Sequence, residues 1–370
     1  MIAAASNPRA AWTARLNAAS ADPSKAVGLL DALGPEGLSE AGDAQWAAVA
    51  GVPQERAARW RAHALAFDLD GELRRVEALG ARLLTLGDEG YPELLAHLPD
   101  APLALYAWGR LEEDLPSAAV VGSRAPTVYG RRMARRLAGD LARRRVVVVS
   151  GLARGIDAEA HDAALAAGGT TWAVLGSGLG RVYPPENRDL ARRIAAEGGC
   201  LLSEYPLSSA PLPGRFPRRN RIVAGLSWAT IVVEGRAASG SLLTAKNAAD
   251  YGREVLAVPG PADSPLSEAP HRLLRDGARL AASAHDVAAA FPPGFASRPF
   301  APRRPAAAPA LEDDEARVLR HLGGETLSLD ELCRLTGLDT AHLSLIMFGL
   351  EIKELVSAVP GQRYAKKTFS

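Results

Sequence analysis

Between residues 82 and 291, short apolar runs alternate with longer amphipathic stretches. Ala118-Ala119-Val120-Val121, Val146-Val147-Val148-Val149, Trp172-Ala173-Val174-Leu175, Ile231-Val232-Val233 and Val255-Leu256-Ala257-Val258 are apolar at every position. A run without alternation suits a strand buried on both faces, as in a parallel sheet. The stretches between them predict helices that make right-handed crossovers. The pattern therefore predicts an α/β fold with a Rossmann-like, doubly wound, mostly parallel sheet. Ligands of such sheets sit outside the carboxyl ends of the strands.

The flanks read differently. Residues 1–80 show apolar positions at helical spacing, in Val27-Gly28-Leu29-Leu30 and Trp46-Ala47-Ala48-Val49-Ala50, broken by turns at Gly34-Pro35 and Gly51-Val52-Pro53. They predict a small helical domain, similar to a sterile-alpha-motif or helix-hairpin-helix module. Prolines 292, 293, 299, 302, 305 and 309 mark residues 292–310 as a linker. Within 311–370, helices are predicted at 312–322, 328–335 and 339–354, followed by a hairpin over 355–364 turning at Pro360-Gly361. That order is a winged helix. Its third helix offers Thr340, His342, Ser344 and Met347 but no arginine, which favours an accessory or protein-binding role over reading a DNA groove.

Charge adds a direction. The chain of 370 residues has a net charge of +1, 48% hydrophobic and 23% charged residues, enough apolar material for more than one core. Residues 1–80 hold eight basic and ten acidic side chains, and residues 311–370 seven and ten. The centre is thus positive between acidic ends, which points to an anionic ligand held there. Only five of the 43 basic residues are lysines, so the cations are mostly guanidinium groups that fork onto phosphate. Cys200 and Cys333 are too far apart in the chain, and too unlike in context, to suggest a metal cluster or disulfide framework. With no apolar run near the ~20 residues of a membrane span, and no export signal read at Met1–Ala11, a cytoplasmic protein without membrane attachment is expected.

Candidate chemistry gathers at the strand ends. These are Gly122-Ser123-Arg124, then Gly151-Leu152-Ala153-Arg154-Gly155 with Asp157, then Gly176-Ser177-Gly178, and Ser239-Gly240-Ser241 before a helix. Glycines let backbone approach a ligand, and amides at a helix start attract phosphate. Phe216-Pro217-Arg218-Arg219-Asn220-Arg221 adds three arginines and a ring, a combination suited to a nucleic-acid backbone with stacked bases. The dinucleotide fingerprint fails because position 181 is Arg, and no phosphate-loop signature or G-x-S-x-G elbow occurs. His161, Glu204, Glu234 and His271 read as packing or capping residues. Arg131, Arg132, Arg135, Arg136 and Arg143–Arg145 read as a solvated helix face.

In their order, these loops resemble the DNA-processing protein A (DprA) family. The resemblance rests on Gly122-Ser123-Arg124, Ser150 through Asp157 with Ala160-His161, Tyr183-Pro184, Ser203-Glu204-Tyr205-Pro206, Phe216-Pro217, Arg219-Asn220-Arg221-Ile222, Ser239-Gly240-Ser241-Leu242 and Val258-Pro259-Gly260. It covers residues 118 to 280 closely and the flanks more loosely. It implies a protein that binds and protects single-stranded DNA. It implies loading of RecA onto strands coated by single-strand-binding protein during natural transformation. A homodimer through the Rossmann-like domain is implied as well, with no catalysis, cofactor or metal.

On that basis Arg124, Arg154, Arg219 and Arg221 hold phosphates. Gly122, Ser123, Gly151, Gly155, Asn220, Ser239, Gly240 and Ser241 line the strand, with Arg218 beside them, and Phe216 either stacks on a base or packs under its loop. Ala269 and His271 depart from the family, which has Gly and Asn there. Two rivals stay open. One is a nucleoside-monophosphate phosphoribohydrolase, although residues 238–244 lack its carboxylate. The other is a double-strand regulator acting through the winged helix.

Overall fold

The computed structural model describes residues 7–111, 115–292, 313–322, 326–352, 355–359 and 363–366. The expected linker beyond Pro292 and the Pro360-Gly361 turn lie outside them. The chain divides into two units, residues 1–303 and 304–370.

The first unit opens with five helices: α1 (Pro8–Ala18), α2 (Pro23–Glu40), α3 (Asp43–Ala50), α4 (Gln54–Ala66) and α5 (Leu69–Ala78). Asn7, Asp22 and Asp68 cap α1, α2 and α5 with their side chains. Gly34, at φ 63°, kinks α2 ahead of Pro35. Leu16, Leu29, Leu30, Leu38 and Trp46 form a core of their own, while Ala10, Ala14, Leu69 and Leu73 pack on the sheet beside Tyr106 and Leu201. Next come β1 (Ala81–Thr85), α6 (Glu93–Ala96) and β2 (Ala104–Gly109).

Strands and helices then alternate: β3 (Ser117–Val121), α7 (Val128–Arg143), β4 (Val147–Ser150), α8 (Ile156–Ala166), β5 (Thr171–Leu175), α9 (Arg188–Ala196), β6 (Cys200–Ser203), α10 (Arg215–Gly225), β7 (Ala229–Val232), α11 (Gly240–Asp250), β8 (Glu254–Ala257), α12 (Glu268–Arg275), β9 (Arg279–Leu280) and α13 (Ala284–Ala288). The sheet runs β1-β2-β6-β5-β4-β3-β7-β8-β9. The seven strands from β6 to β9 are parallel, while β2 joins β6, and β1 joins β2, antiparallel. Successive side chains feed opposite cores. Ala118, Val120 and Val148 meet α7 and α8, whereas Ala119, Val121, Val147 and Val149 meet Ile222 and Val223 of α10. This is the doubly wound α/β arrangement predicted from the runs, with β1 and β2 as additions at one edge.

The second unit comprises α14 (Asp313–His321), β10 (Leu327–Ser328), α15 (Leu329–Thr336), α16 (Thr340–Ile352), β11 (Val356–Val359) and β12 (Arg363–Lys366). Ser328 and Glu331 form a capping box on α15, and Gly337 ends it in the left-handed conformation. Val318, Leu332, Leu343, Met347, Leu350 and Val356 form the core, with the antiparallel sheet β10-β12-β11 as the wing. Among the described residues no helix is long and apolar enough to cross a membrane.

Candidate nucleic-acid interface

The chain leaves β3, winds outward through β4, β5 and β6, then crosses to place β7 on the other side of β3. The loops after β3 and β7 diverge at that switch point and open a crevice there. A cleft of about 610 Å³ occupies it. Its walls are Gly122–Ala125 after β3, Gly151, Ala153 and Asp157 after β4, Arg219, Asn220 and Val223 of α10, and Gly235, Arg236, Ala238–Ser241 and Thr244 after β7, with Leu266 closing one end.

Three helices start at this cleft, and their free amides decide what it attracts. At α7, Thr127 is the cap, and its own N–H and Oγ1 donate to Glu234 at 2.9 and 2.5 Å. At α8, the buried Asp157 accepts from the N–H groups of Gly151 at 3.0 Å and Ala153 at 3.4 Å. Only α11 has no acid in its first turn and no carboxylate on its cap. Ser239 Oγ accepts from Ser241 N at 3.3 Å and lies 2.7 Å from the Ser241 hydroxyl. The positive end of one helix dipole therefore remains for an external anion.

Two arginines open onto the same space. Arg124 and Arg236 are exposed, and neither is paired with a carboxylate among the described residues. Arg236 escaped the sequence reading, which stepped from Gly235 to Ser239. Its signal was a basic residue three positions before a helix-capping serine. Ser123 accepts from Ala125 N at 3.1 Å, and Asn220 reaches Gly240 O at 3.3 Å, tying α10 to the start of α11. Gly155, at φ 76°, brings its loop so close to the β3 loop that a Cβ would lie 2.4 Å from Ser123 O. It closes the wall, and a side chain there would force the two loops apart.

The structure corrects several expected roles. The segment from Phe216 to Arg221 is not an open rim but the first turns of α10, so its arginines point to different sides. Arg219 is 4% exposed beneath the cleft floor. Its Nη1 donates to Gly151 O at 2.6 Å and to Val174 O. Burial lowers its pKa to about 10 despite the pull of Asp157, and the same burial raises Asp157. Arg221 is 7% exposed, lies outside the cleft, and is ion-paired with the buried Glu204. Arg218 lies on that same side, 3.4 Å from Glu204. Arg154 is exposed but held by Glu186. The Gly151 amide is spent on Asp157, and a Cβ on Gly151 would lie 2.6 Å from Arg219 Nη2. Gly122, Ser123, Arg124, Asn220, Ser239, Gly240 and Ser241 do meet at the cleft. Phe216 packs against Tyr183 and over Gly176.

The titratable groups nearby serve the fold. His161 is fully buried, and its Nδ1 lies 2.7 Å from Thr171 Oγ1, which itself donates to Val148 O. The imidazole must therefore donate from Nδ1, leaving Nε2 buried with no hydrogen-bond partner among the described residues, and burial lowers its pKa to about 3. Cys200 is likewise buried, and its thiol is pushed up to about 12. No group of three potential metal ligands occurs among the described residues.

The family model for DNA recombination-mediator protein A matches residues 82–292, and a model for the DprA winged helix domain matches residues 302–362. The chain belongs to the DprA family. Protein Smf of Escherichia coli (strain K12) is 39% identical over 79% of this chain and 79% of its own length. The putative DNA processing protein DprA of Mycobacterium tuberculosis (strain ATCC 25618 / H37Rv) is 39% identical over 84% of this chain and 82% of its own length. The X-ray structure of DprA from Streptococcus pneumoniae matches with a TM-score of 0.64 and 35% identity, covering 75% of this chain and 96% of that one. A structure describing the single-stranded DNA binding mode of Helicobacter pylori DNA processing protein A matches with a TM-score of 0.50 and 30% identity, over 55% of this chain and 93% of that one.

Membership makes the chain a DNA recombination mediator with a Rossmann-like fold and a winged helix. Ala269 and His271, the positions expected to depart from the family, lie on α12. Ala269 is fully buried and donates its N–H to Gly235 O at 2.9 Å, while His271 Nε2 lies 3.0 Å from Gly260 O. Ala269 thus braces the wall that carries Arg236, whereas His271 ties α12 to the loop after β8.

Proposed function

We propose that this member of the DprA family binds single-stranded DNA in the switch-point cleft and protects it. It then loads RecA onto strands coated by single-strand-binding protein, in the cytoplasm, during natural transformation and recombination. The observation that carries the reading is the cleft's division of labour. Its carboxylates, Asp157 and Glu234, are consumed by backbone and hydroxyl donors, while Arg124, Arg236 and the start of α11 are left for an anion. The H. pylori relative's described single-stranded DNA binding supports the same ligand.

Arg124 and Arg236 hold phosphates, and Ser123, Asn220, Ser239, Gly240 and Ser241 contribute donors or permit close approach. Gly122 and Gly155 shape the walls, and Arg219 lends its positive potential from beneath. The protein works as a homodimer through the Rossmann-like unit, and no bond is made or broken in the cleft. The phosphoribohydrolase rival needs a free carboxylate facing the anion, and none lies on residues 235–244. The decisive experiment is RecA filament formation on strands pre-coated with single-strand-binding protein. Addition of the protein should shorten the lag, and an unchanged lag refutes the loading role. Release of free base from AMP would refute the absence of catalysis.

A further inference from the structure

At the opposite end of the sheet from the switch-point cleft, another cavity, of about 310 Å³, opens where the parallel strands begin. Ser117 starts β3, Trp172 is second in β5, and Trp228 and Arg253 immediately precede β7 and β8. Leu111, Leu115 and Leu226 complete a mainly apolar wall. Two donors in that wall are left over. Trp172 is 4% exposed, and its Nε1 is buried with no acceptor among the described residues. The Arg253 guanidinium lies 5.0 Å from the centre of the Trp228 ring and donates from Nη2 to Leu94 O at 3.1 Å. Its buried Nε, however, has no acceptor among the described residues. No described carboxylate pairs with Arg253 either: the adjacent Glu254 lies 3.9 Å from Arg279, and the exposed Glu93 lies 3.7 Å from His97. Burial lowers the pKa of Arg253, as it does for a cation whose charge nothing offsets.

From this arrangement we infer that the cavity is a binding site for a small aromatic carboxylate, its ring among the leucines and Trp228 and its carboxylate on the free donors of Arg253 and Trp172. The inference goes beyond the strand-binding reading and does not depend on it, because the carboxyl ends of the strands carry the cleft and their amino ends this cavity. A buried donor without an acceptor is costly to keep, and two of them on one wall call for an acceptor that a ligand brings. A cation without a counter-charge calls for an anion, and a guanidinium fork matches the two oxygens of a carboxylate. The apolar remainder of the wall selects what carries that anion. It favours a ring and penalises a hydrated phosphate or a sugar. A volume at the lower end for small-molecule sites limits the ligand to one or two fused rings.

The test titrates two probes into the ¹⁵N-labelled full chain: indole-3-acetate, and 3-methylindole, which has the ring without the carboxylate. The six tryptophans of the chain each give an indole N–H signal. Indole-3-acetate should shift the Trp172 signal, identified by its loss in Trp172→Phe, and should bind about tenfold or more tightly than 3-methylindole. Arg253→Met should weaken indole-3-acetate about tenfold and leave 3-methylindole unchanged. No shift at Trp172, equal affinity for the two probes, or an unweakened Arg253→Met overturns the site. Where a variant fails to fold, the comparison of the two probes on the unaltered chain still decides. Oligothymidine separates the two ends of the sheet. At saturation it should leave the affinity for indole-3-acetate unchanged. A probe that oligothymidine displaces lies in the cleft, which overturns the cavity site and leaves the strand reading standing. A chain that takes indole-3-acetate but no oligothymidine keeps the cavity site and loses the reading of the cleft.

Discussion

The two sides of α10 carry the same chemistry and put it to opposite uses. On the cleft side, carboxylates are taken up by amide and hydroxyl donors, and the guanidiniums of Arg124 and Arg236 are left over. On the other side, the buried carboxylate of Glu204 accepts from Arg218 and Arg221, and Arg221 also lies 3.8 Å from Asp100. Counting arginines does not separate the two regions. What separates them is whether each acid already has a backbone partner. A guanidinium is available to a ligand only where the local acids are otherwise engaged.

Removing the acid on the structural side tests that contrast most severely. Glu204→Ala leaves the buried Arg221 with only the more distant, half-exposed Asp100 as counter-charge, and the loss of the buried partner costs about 3 kcal/mol. Urea denaturation should show a loss of that size, while Arg124→Ala, on an exposed loop, should stay within about 0.5 kcal/mol. A mild Glu204→Ala would mean that the two sides of α10 are less different than the geometry indicates.

His161 is a third case, a buried titratable group with no ion-pair partner among the described residues. Its folded pKa, about 3, lies below its ordinary 6.5, so the unfolded chain binds the proton more readily. Its contribution is therefore complete above pH 6.5 and is lost as pH falls toward 3. By pH 4.5 the loss is about 3 kcal/mol, at 1.36 kcal/mol per unit. Asp157 works in the opposite sense, because its raised pKa favours the folded state at lower pH. The comparison that isolates the histidine is His161→Leu against the unaltered chain, in urea midpoints from pH 7 to 4.5. The variant's profile should be flatter across that window.

The parallel strands were legible because burial on both faces leaves an apolar signature in a single run, as in Val147, Val148 and Val149. The edge strands β1 and β2 were not, since Ala81-Arg82-Leu83 and Tyr106-Ala107-Trp108 take their meaning from partners distant in the chain. The cleft was legible in its glycines and serines, whose local geometry is set within a few residues. The fate of the arginines was hidden for a different reason. Phe216 to Arg221 read as a cationic rim, yet the segment is helical. Adjacent side chains on a helix point about 100° apart, so Arg218 and Arg221 share one side while Arg219 and Asn220 face the cleft. The Ile222-Val223 pair that follows marked the buried stripe. The partner of Arg221, Glu204, comes from beyond β6 and carries no mark of that pairing.

On the cleft side, Arg124→Ala and Arg236→Ala should each weaken oligothymidine binding by about 1–2 kcal/mol, regardless of sequence, and each should reduce the slope of log affinity against log salt by about one. Arg221→Lys offers the matching control, since its guanidinium lies outside the cleft and should leave that slope alone. Anisotropy titrations across salt concentrations measure all three. A slope that falls with Arg221→Lys and holds with Arg124→Ala would reverse the assignment of the two sides.

The smallest effect is expected from the second unit. Residues 311–370 carry seven basic and ten acidic side chains, so they release few counterions from a strand. Thr340, His342 and Ser344 are exposed on α16, and His342 is 3.5 Å from Asp314, which leaves that helix without a free cation near its start. A chain ending at residue 310 should therefore bind oligothymidine within about threefold of the full chain, a difference of under 1 kcal/mol. If that truncation removed single-strand binding while the first unit stayed folded, the switch-point cleft would not be the principal site, and the unpaired guanidiniums beside α10 would need another explanation.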